Sequence, residues 1–208
     1  MDDSEEALVE RLRAGEEAVL AELFSLHRDR LWRMLNFRMD RRLAGRVDAE
    51  DILQEAYLSA SGRIEHYRKE ESMSFFVWLR LIVNQTLIDV HRRHIGAEMR
   101  DANREVSLHH KGNAQSTSMS LAAKLLGNIT SPSQAAVREE TSAQLERAIA
   151  SMDTIDQEVL ALRHFEDLTN SEVAEVLGIA QTAASNRYVR ALARLKDILA
   201  KIPGFLDS

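Results

Sequence analysis

Apolar residues return at intervals of three and four through most of the chain, the spacing of helix faces and not of strands. Leu8 and Leu12, then Leu23, Leu31, Met34 and Leu35, predict amphipathic helices between residues 5 and 40, with Gly15 separating two of them. Asp48 is placed to cap a further helix, with Asp51 in its first turn and Ile52, Leu53, Ala56 and Ala60 as its apolar stripe. A polar loop is expected from Glu65 to Ser74, followed by a strongly apolar helix from Phe75 to about Val90. Helices this close, joined by short loops, form one bundle.

The pattern fades from Gly96 to about Gln134. The run from His109 to Ser118 is polar, and Ser131-Pro132-Ser133 follows, so a linker with one short helix near Leu121–Leu126 is expected. Helical periodicity returns at Val137 and continues through Leu145, Ile149, Met152, Val159, Leu160, Leu162, Val173, Leu177, Tyr188, Leu192 and Leu195. The expected fold class is therefore all-α: two small helical bundles, residues 1–95 and 137–208, joined by a flexible linker over 96–136.

Composition narrows the chemistry. Among 208 residues there are two prolines, eight glycines and 5% aromatics, which suits helices. The absence of cysteine excludes disulfides, thiolate nucleophiles and Cys-based zinc sites. No apolar run reaches the ~18 residues of a membrane span. The start, Met1-Asp2-Asp3-Ser4-Glu5-Glu6, is acidic where a secretion signal is basic and then apolar. A cytoplasmic protein without a membrane partner is expected. The net charge of −6 disfavours a nucleic-acid binder, but the charge is unevenly spread. Residues 141–181 carry two arginines against eight carboxylates, whereas residues 182–201 carry Arg187, Arg190, Arg194, Lys196 and Lys201 against Asp197 alone. A short basic helix beside an acidic body is a local electrostatic footprint.

That helix belongs to a two-helix pattern over residues 170–188. Ser171 is suited to the cap or first turn of the first helix, Val173 and Leu177 face inward, and small Ala174 permits close approach. Gly178 occupies a turn where positive φ is expected, Ile179 fills the corner, and Ala184 and Tyr188 face the core. The other face of the second helix shows Ser185, Asn186, Arg187, Val189 and Arg190, side chains able to reach base edges or phosphates in a major groove. An ordinary helical hairpin with a solvated basic face has the same outline. The coincidence of the small-residue turn with the basic second helix favours the DNA-binding helix-turn-helix. Arg194 and Lys196 are expected to contact phosphate or remain solvated.

In the first bundle, Glu50, Asp51, Gln54 and Glu55 lie opposite Ile52 and Ala56. This is either a solvated face or a protein-docking face. A metal or acid–base site is disfavoured, because no His lies in the run and no phosphate loop accompanies it. Between Tyr67 and Arg93, Tyr67, Phe75, Phe76 and Trp78 interleave with Arg68, Lys69, Arg80, Arg92 and Arg93. Rings beside cations suit unpaired nucleic acid, although most of these rings have core spacing. His91, His94, His109 and His110 make a poor metal set without cysteine and with two of the four in the linker. No cofactor and no catalytic residue is expected.

Three segments together resemble a known family. Asp48-Ala-Glu-Asp-Ile-Leu-Gln-Glu-Ala-Tyr-Leu58 resembles the core-binding helix of bacterial sigma-70-type initiation factors. Trp78-Leu-Arg-Leu-Ile with Asp89 and Arg92-Arg93 resembles the promoter-melting helix, and Ala161 through Leu195 resembles the helix-turn-helix domain. Two such domains and a linker are similar to the short extracytoplasmic-function class. The resemblance implies a sigma factor, not an enzyme, that binds RNA polymerase core and directs it to promoter DNA. Glu50, Asp51, Gln54 and Glu55 would meet the clamp helices of the large subunit. Arg68, Lys69, Arg80, Asn84, Gln85, Arg92 and Arg93 would hold the minus-ten element. Thr182, Ser185, Asn186, Arg187 and Arg190 would read the minus-thirty-five element. The linker would thread toward the polymerase cleft, and an anti-sigma factor is a further partner to expect. Two departures stand out. Gln85 occupies the position where the family usually has Asn, with Asn84 just before it, and Thr182-Ala183-Ala184 stands in place of Gly-Thr-Val. The alternative is a helix-turn-helix regulator that never docks on polymerase, which would need neither the acidic helix nor the aromatic-basic segment.

Overall fold

The structure, a computed structural model, describes residues 3–40, 43, 45–69, 73–95, 117, 120–122 and 135–201. Every regular element among them is a helix. The chain forms two compact units, Met1–Asn103 and Arg104–Ser208.

The first unit holds α1 (Asp3–Arg13), α2 (Val19–Arg38), α3 (Ala49–Ser61), α4 (Ile64–Lys69) and α5 (Phe75–Ile95). Gly15, at φ 111°, breaks the chain between α1 and α2. Helix α2 buries Leu20, Leu23, Phe24, Leu31, Met34 and Leu35, the stripe its sequence spacing calls for. Asp48 caps α3 by accepting a hydrogen bond from Glu50 N–H, and α3 buries Ala49, Ile52, Leu53, Ala56 and Ala60 against α2 and α5. Phe24 meets Tyr57 edge-on, with ring centres 5.2 Å apart. The segment expected to be a loop from Glu65 contains α4 instead, because Ile64 and Tyr67, three apart, bury together. Tyr67, Phe75 and Trp78 stack within 4.8–5.6 Å of one another. Buried His27 lies against Phe75 and Phe76 and pairs with Glu5 at 3.2 Å, which fastens α1 to this core.

The second unit holds α6 (Ala135–Ala150), α7 (Thr154–His164), α8 (Asn170–Leu177) and α9 (Gln181–Leu199). Leu145, Ile149, Met152, Val159, Leu160, Leu162, Val173, Ala184 and Ala191 form its core. Leu177 and Tyr188, expected to face the core, are only half-buried, as are Leu192 and Leu195. The cap of α8 is Thr169, two residues before Ser171. Its side chain accepts from Glu172 N–H while the Glu172 carboxylate accepts from Thr169 N–H. Ser171 lies in the first turn and shares a 3.1 Å hydrogen bond with the Thr169 hydroxyl. Within the expected linker, Thr117 and residues 120–122 are helical, Leu121 and Ala122 are buried, and Thr117 Oγ1 donates to Glu158 of α7 at 3.4 Å. Most of the expected linker lies outside the described residues. No helix among the described residues is long and apolar enough to cross a membrane.

Candidate functional site

Three surfaces carry the residues singled out from sequence. The first is the outer face of α3. Asp51, Gln54 and Glu55 are exposed on it and Glu50 is half-exposed, with the buried Ile52–Ala56 stripe opposite. Two of these carboxylates already hold cations. Glu50 pairs with Arg28 of α2 at 2.6 Å. Glu55 accepts from Arg93 Nη2 through both carboxylate oxygens at 2.7 Å. That hydrogen bond, and then the Glu55 charge, hold the Arg93 guanidinium more firmly protonated. Asp51, Glu55, Arg46, Arg93 and His94 line a shallow cavity of about 180 Å³ between α3 and the end of α5. Leu58, a turn beyond Gln54, is an exposed apolar residue on the same helix that the sequence reading passed over.

The second surface lies along α4 and α5. All four rings are buried: Tyr67, Phe75 and Phe76 almost fully and Trp78 at 6% exposure, so none of them is available to stack on an unpaired base. Arg80 is buried, at 4% exposure. Arg68 is largely buried as well. Its Nε donates to the Leu12 carbonyl at 2.9 Å and its Nη1 pairs with Glu65, so it ties α4 to the end of α1. Arg68 follows buried Ile64 by four residues and Arg80 follows buried Phe76 by four, so each shares the inward side of its helix. Lys69, Gln85, Arg92 and Arg93 are exposed and Asn84 is half-exposed. Gln85 Nε2 donates to Asp89 at 3.1 Å, and Arg92 lies 3.7 Å from the same carboxylate. His91 accepts from Asp40 N–H at 3.4 Å and His94 lines the cavity, while His109 and His110 lie outside the described residues. Among the described residues no three His, Asp or Glu side chains are grouped to hold a metal ion.

The third surface is the helix-turn-helix. Gly178 ends α8 at φ 63°, ψ 35°, where its backbone N–H reaches the Ala174 and Glu175 carbonyls. A side chain there would be strained by the left-handed backbone alone, since no atom lies within 4 Å of an added Cβ. The turn sets α9 so that Ala184 and Ala191 are buried, and at about 100° per residue Thr182, Asn186 and Val189 occupy the opposite face. Thr182, Ser185, Asn186 and Arg190 are all exposed. Arg187 stands apart from them. It lies on the flank toward α7, where its Nη1 donates to Asp156 Oδ1 at 3.1 Å, so it fastens α9 to α7 and leaves the outer face. The other flank is held by a residue the sequence reading missed. Asn170 Nδ2, at the start of α8, donates to the Gln181 carbonyl at 3.0 Å and to Ser185 Oγ at 2.7 Å. Val189 is 65% exposed in the middle of the outer face. Beneath the helix, Tyr188 shares a 3.0 Å hydrogen bond with His164 Nε2, and Arg163 lies over the Tyr188 ring at 5.4 Å.

Comparison with known proteins agrees with this arrangement in order and extent. Sigma-70 region 2 matches residues 23–95, and Sigma-70 region 4 matches residues 142–195. The ECF RNA polymerase sigma factor BldN of Streptomyces coelicolor is 27% identical over 197 residues, which is 90% of this chain and 64% of that protein. The ECF RNA polymerase sigma factor SigW of Bacillus subtilis is 23% identical over 183 residues, 88% of this chain and 89% of that protein. Among solved structures, CnrH in complex with the cytosolic domain of CnrY shares the fold at a TM-score of 0.52 and 19% identity, over 95% of this chain and 98% of that one. The region 2 match covers the acidic and aromatic-basic helices that a stand-alone helix-turn-helix regulator does not need, which sets that alternative aside. With regions 2 and 4 both present in order, and relatives named as ECF factors along most of its length, the chain belongs to the sigma-70 family of transcription initiation factors, in the extracytoplasmic-function class.

Proposed function

We propose that this sigma-70 family member docks on RNA polymerase core through α3 and directs the enzyme to promoters by reading duplex DNA with α9 and holding opened DNA along α5. One observation carries the reading: a single chain pairs a region 2 unit with an exposed carboxylate face and a region 4 unit whose recognition helix turns a polar face outward. Asp51, Gln54 and Glu55 are the docking residues, on the clamp helices of the large polymerase subunit, with Glu50 braced by Arg28. Lys69, Asn84, Gln85, Arg92 and Arg93 are the minus-ten residues. Thr182, Ser185, Asn186 and Arg190 are the minus-thirty-five residues. Arg68, Arg80 and Arg187 are structural, each turned toward the protein. The compartment is that of the polymerase, the cytoplasm, and an anti-sigma factor is the further partner that the family leads us to expect. The family is not one of enzymes, and the chemistry of initiation belongs to the polymerase.

The test is docking. Reversing charge with Asp51→Lys and Glu55→Lys leaves the α3 core face intact, so unfolding free energy changes by no more than about 0.5 kcal/mol at Asp51 and by about 1 kcal/mol at Glu55, which loses its pair with Arg93. Core affinity, titrated with purified polymerase, drops at least about tenfold, and promoter-directed transcription drops with it. Parental affinity in the double variant overturns the assignment of this face.

A further inference from the structure

Ser185 lies on the exposed flank of α9, and its hydroxyl can point either way. A serine inside a helix commonly turns its proton back to the carbonyl four residues earlier, here that of Gln181. The structure closes that route. Asn170 places one amide hydrogen on the Gln181 carbonyl at 3.0 Å and the other on Ser185 Oγ at 2.7 Å, so both of its donors are used across the helix-turn-helix. The Ser185 oxygen therefore accepts from the protein side. No second partner for this hydroxyl exists among the described residues, and its single proton is left to the exposed side.

We propose that Asn170, which does not itself lie on the reading face, is a positioning residue that sets the polarity of Ser185 and so presents it to DNA as a hydrogen-bond donor. A donor there selects an acceptor in the major groove: N7 or O6 of guanine, N7 of adenine or O4 of thymine. It finds no partner on cytosine, whose groove edge offers only the N4 amino group. This inference rests on the reading of α9 as the minus-thirty-five helix, and it adds a residue from the first helix of the motif to the determinants of sequence preference.

The experiment is selection of minus-thirty-five sequences from a randomised promoter library by the full-length chain bound to polymerase core. Ser185→Ala weakens the preference at one position about fivefold, the size of one neutral hydrogen bond. Asn170→Ala weakens the same position by a similar factor, leaves the position read by Arg190 unchanged, and adds little when combined with Ser185→Ala, because the two act as one unit. Asn170→Asp gives the sharper result. Its carboxylate accepts the Ser185 proton, the hydroxyl then offers lone pairs outward, and the preference at that position moves toward adenine or cytosine, whose amino groups donate. Aspartate suits the first turn of α8, so this variant keeps the test available if the alanine variant folds poorly. If Ser185→Ala changes a position while both Asn170 variants keep the parental preference there, the positioning role is overturned and the reading of α9 stands. If neither Ser185→Ala nor Arg190→Ala changes any position, the reading of α9 falls and this inference falls with it.

Discussion

His164 shows how one residue sets conditions on a whole helix. It is the last residue of α7, its Nε2 lies 3.0 Å from the Tyr188 hydroxyl, and the two rings are 5.5 Å apart. Burial, and then the charge of Arg163, lower its pKa from 6.5. A neutral ring can accept from the Tyr188 hydroxyl, whereas a protonated one cannot. The unfolded chain thus binds a proton at a pH where the folded chain does not, so stability rises with pH through that window. The second unit is expected to lose stability as pH falls below about 6.5, the ordinary histidine value, and to be insensitive to this group above it. Denaturant unfolding across pH 5–8 measures the slope. His164→Gln removes part of it, and an unchanged slope in that variant assigns the pH dependence to other groups. Arg68, Arg80 and Arg187 carry a related lesson, because each reads as a solvent-facing cation along the chain and each is drawn inward by a partner or by its side of the helix.

Among the elements, α8 is the shortest in the second unit and the most dependent on its ends. Thr169 and Glu172 satisfy two backbone donors at its start, and Gly178 takes the left-handed conformation that stops it. Thr169→Ala is expected to cost about 1 kcal/mol in chemical unfolding, the usual value of such a cap. Ser171→Ala is expected to change stability by no more than about 0.5 kcal/mol, since among the described residues its hydroxyl bonds only to the cap side chain. Equal losses in the two variants would contradict the capping geometry. Helices α3 and α5 are joined differently, by the exposed pair Glu55–Arg93. A pair with both side chains about half in water adds at most about 1 kcal/mol, and salt screens it. The pair joins a proposed docking residue to a proposed DNA contact.

At the scale of the molecule, the net charge of −6 hides a basic helix. DNA affinity from such a helix depends steeply on salt, because each phosphate contact releases counterions. Arg190 is exposed beside Asn186, its Nε donating to the Asn186 carbonyl at 3.3 Å, and is a proposed base contact. Arg194, one turn on, donates to the Ser151 carbonyl at 3.4 Å and is a proposed phosphate contact. Arg190→Ala is expected to change sequence preference at the minus-thirty-five element. Arg194→Ala is expected to lower affinity evenly across sequences and to reduce the slope of log affinity against log salt by about one. Binding titrations over a salt series distinguish the two, and an even loss for Arg190→Ala removes it from the groove.

Period and punctuation were enough to place most helices. The stripes of α2 and α3, the Asp48 cap, the Gly178 turn and the outward face of α9 all follow from interactions between residues a few positions apart, which the chain itself displays. Three family motifs in order were legible for the same reason, since each is a local run. Distance along the chain hides the rest. That Arg187 serves Asp156, that Arg93 holds Glu55 and that Arg68 reaches the Leu12 carbonyl depends on which helices pack side by side. The short helix α4 exists because Ile64 and Tyr67 find a core to enter, and the polarity of Ser185 is set by Asn170, fifteen residues away. A polar or charged side chain is outward by default in a sequence. Only the packed structure supplies the partner that draws it in, because the partner offsets the desolvation that would otherwise keep it in water.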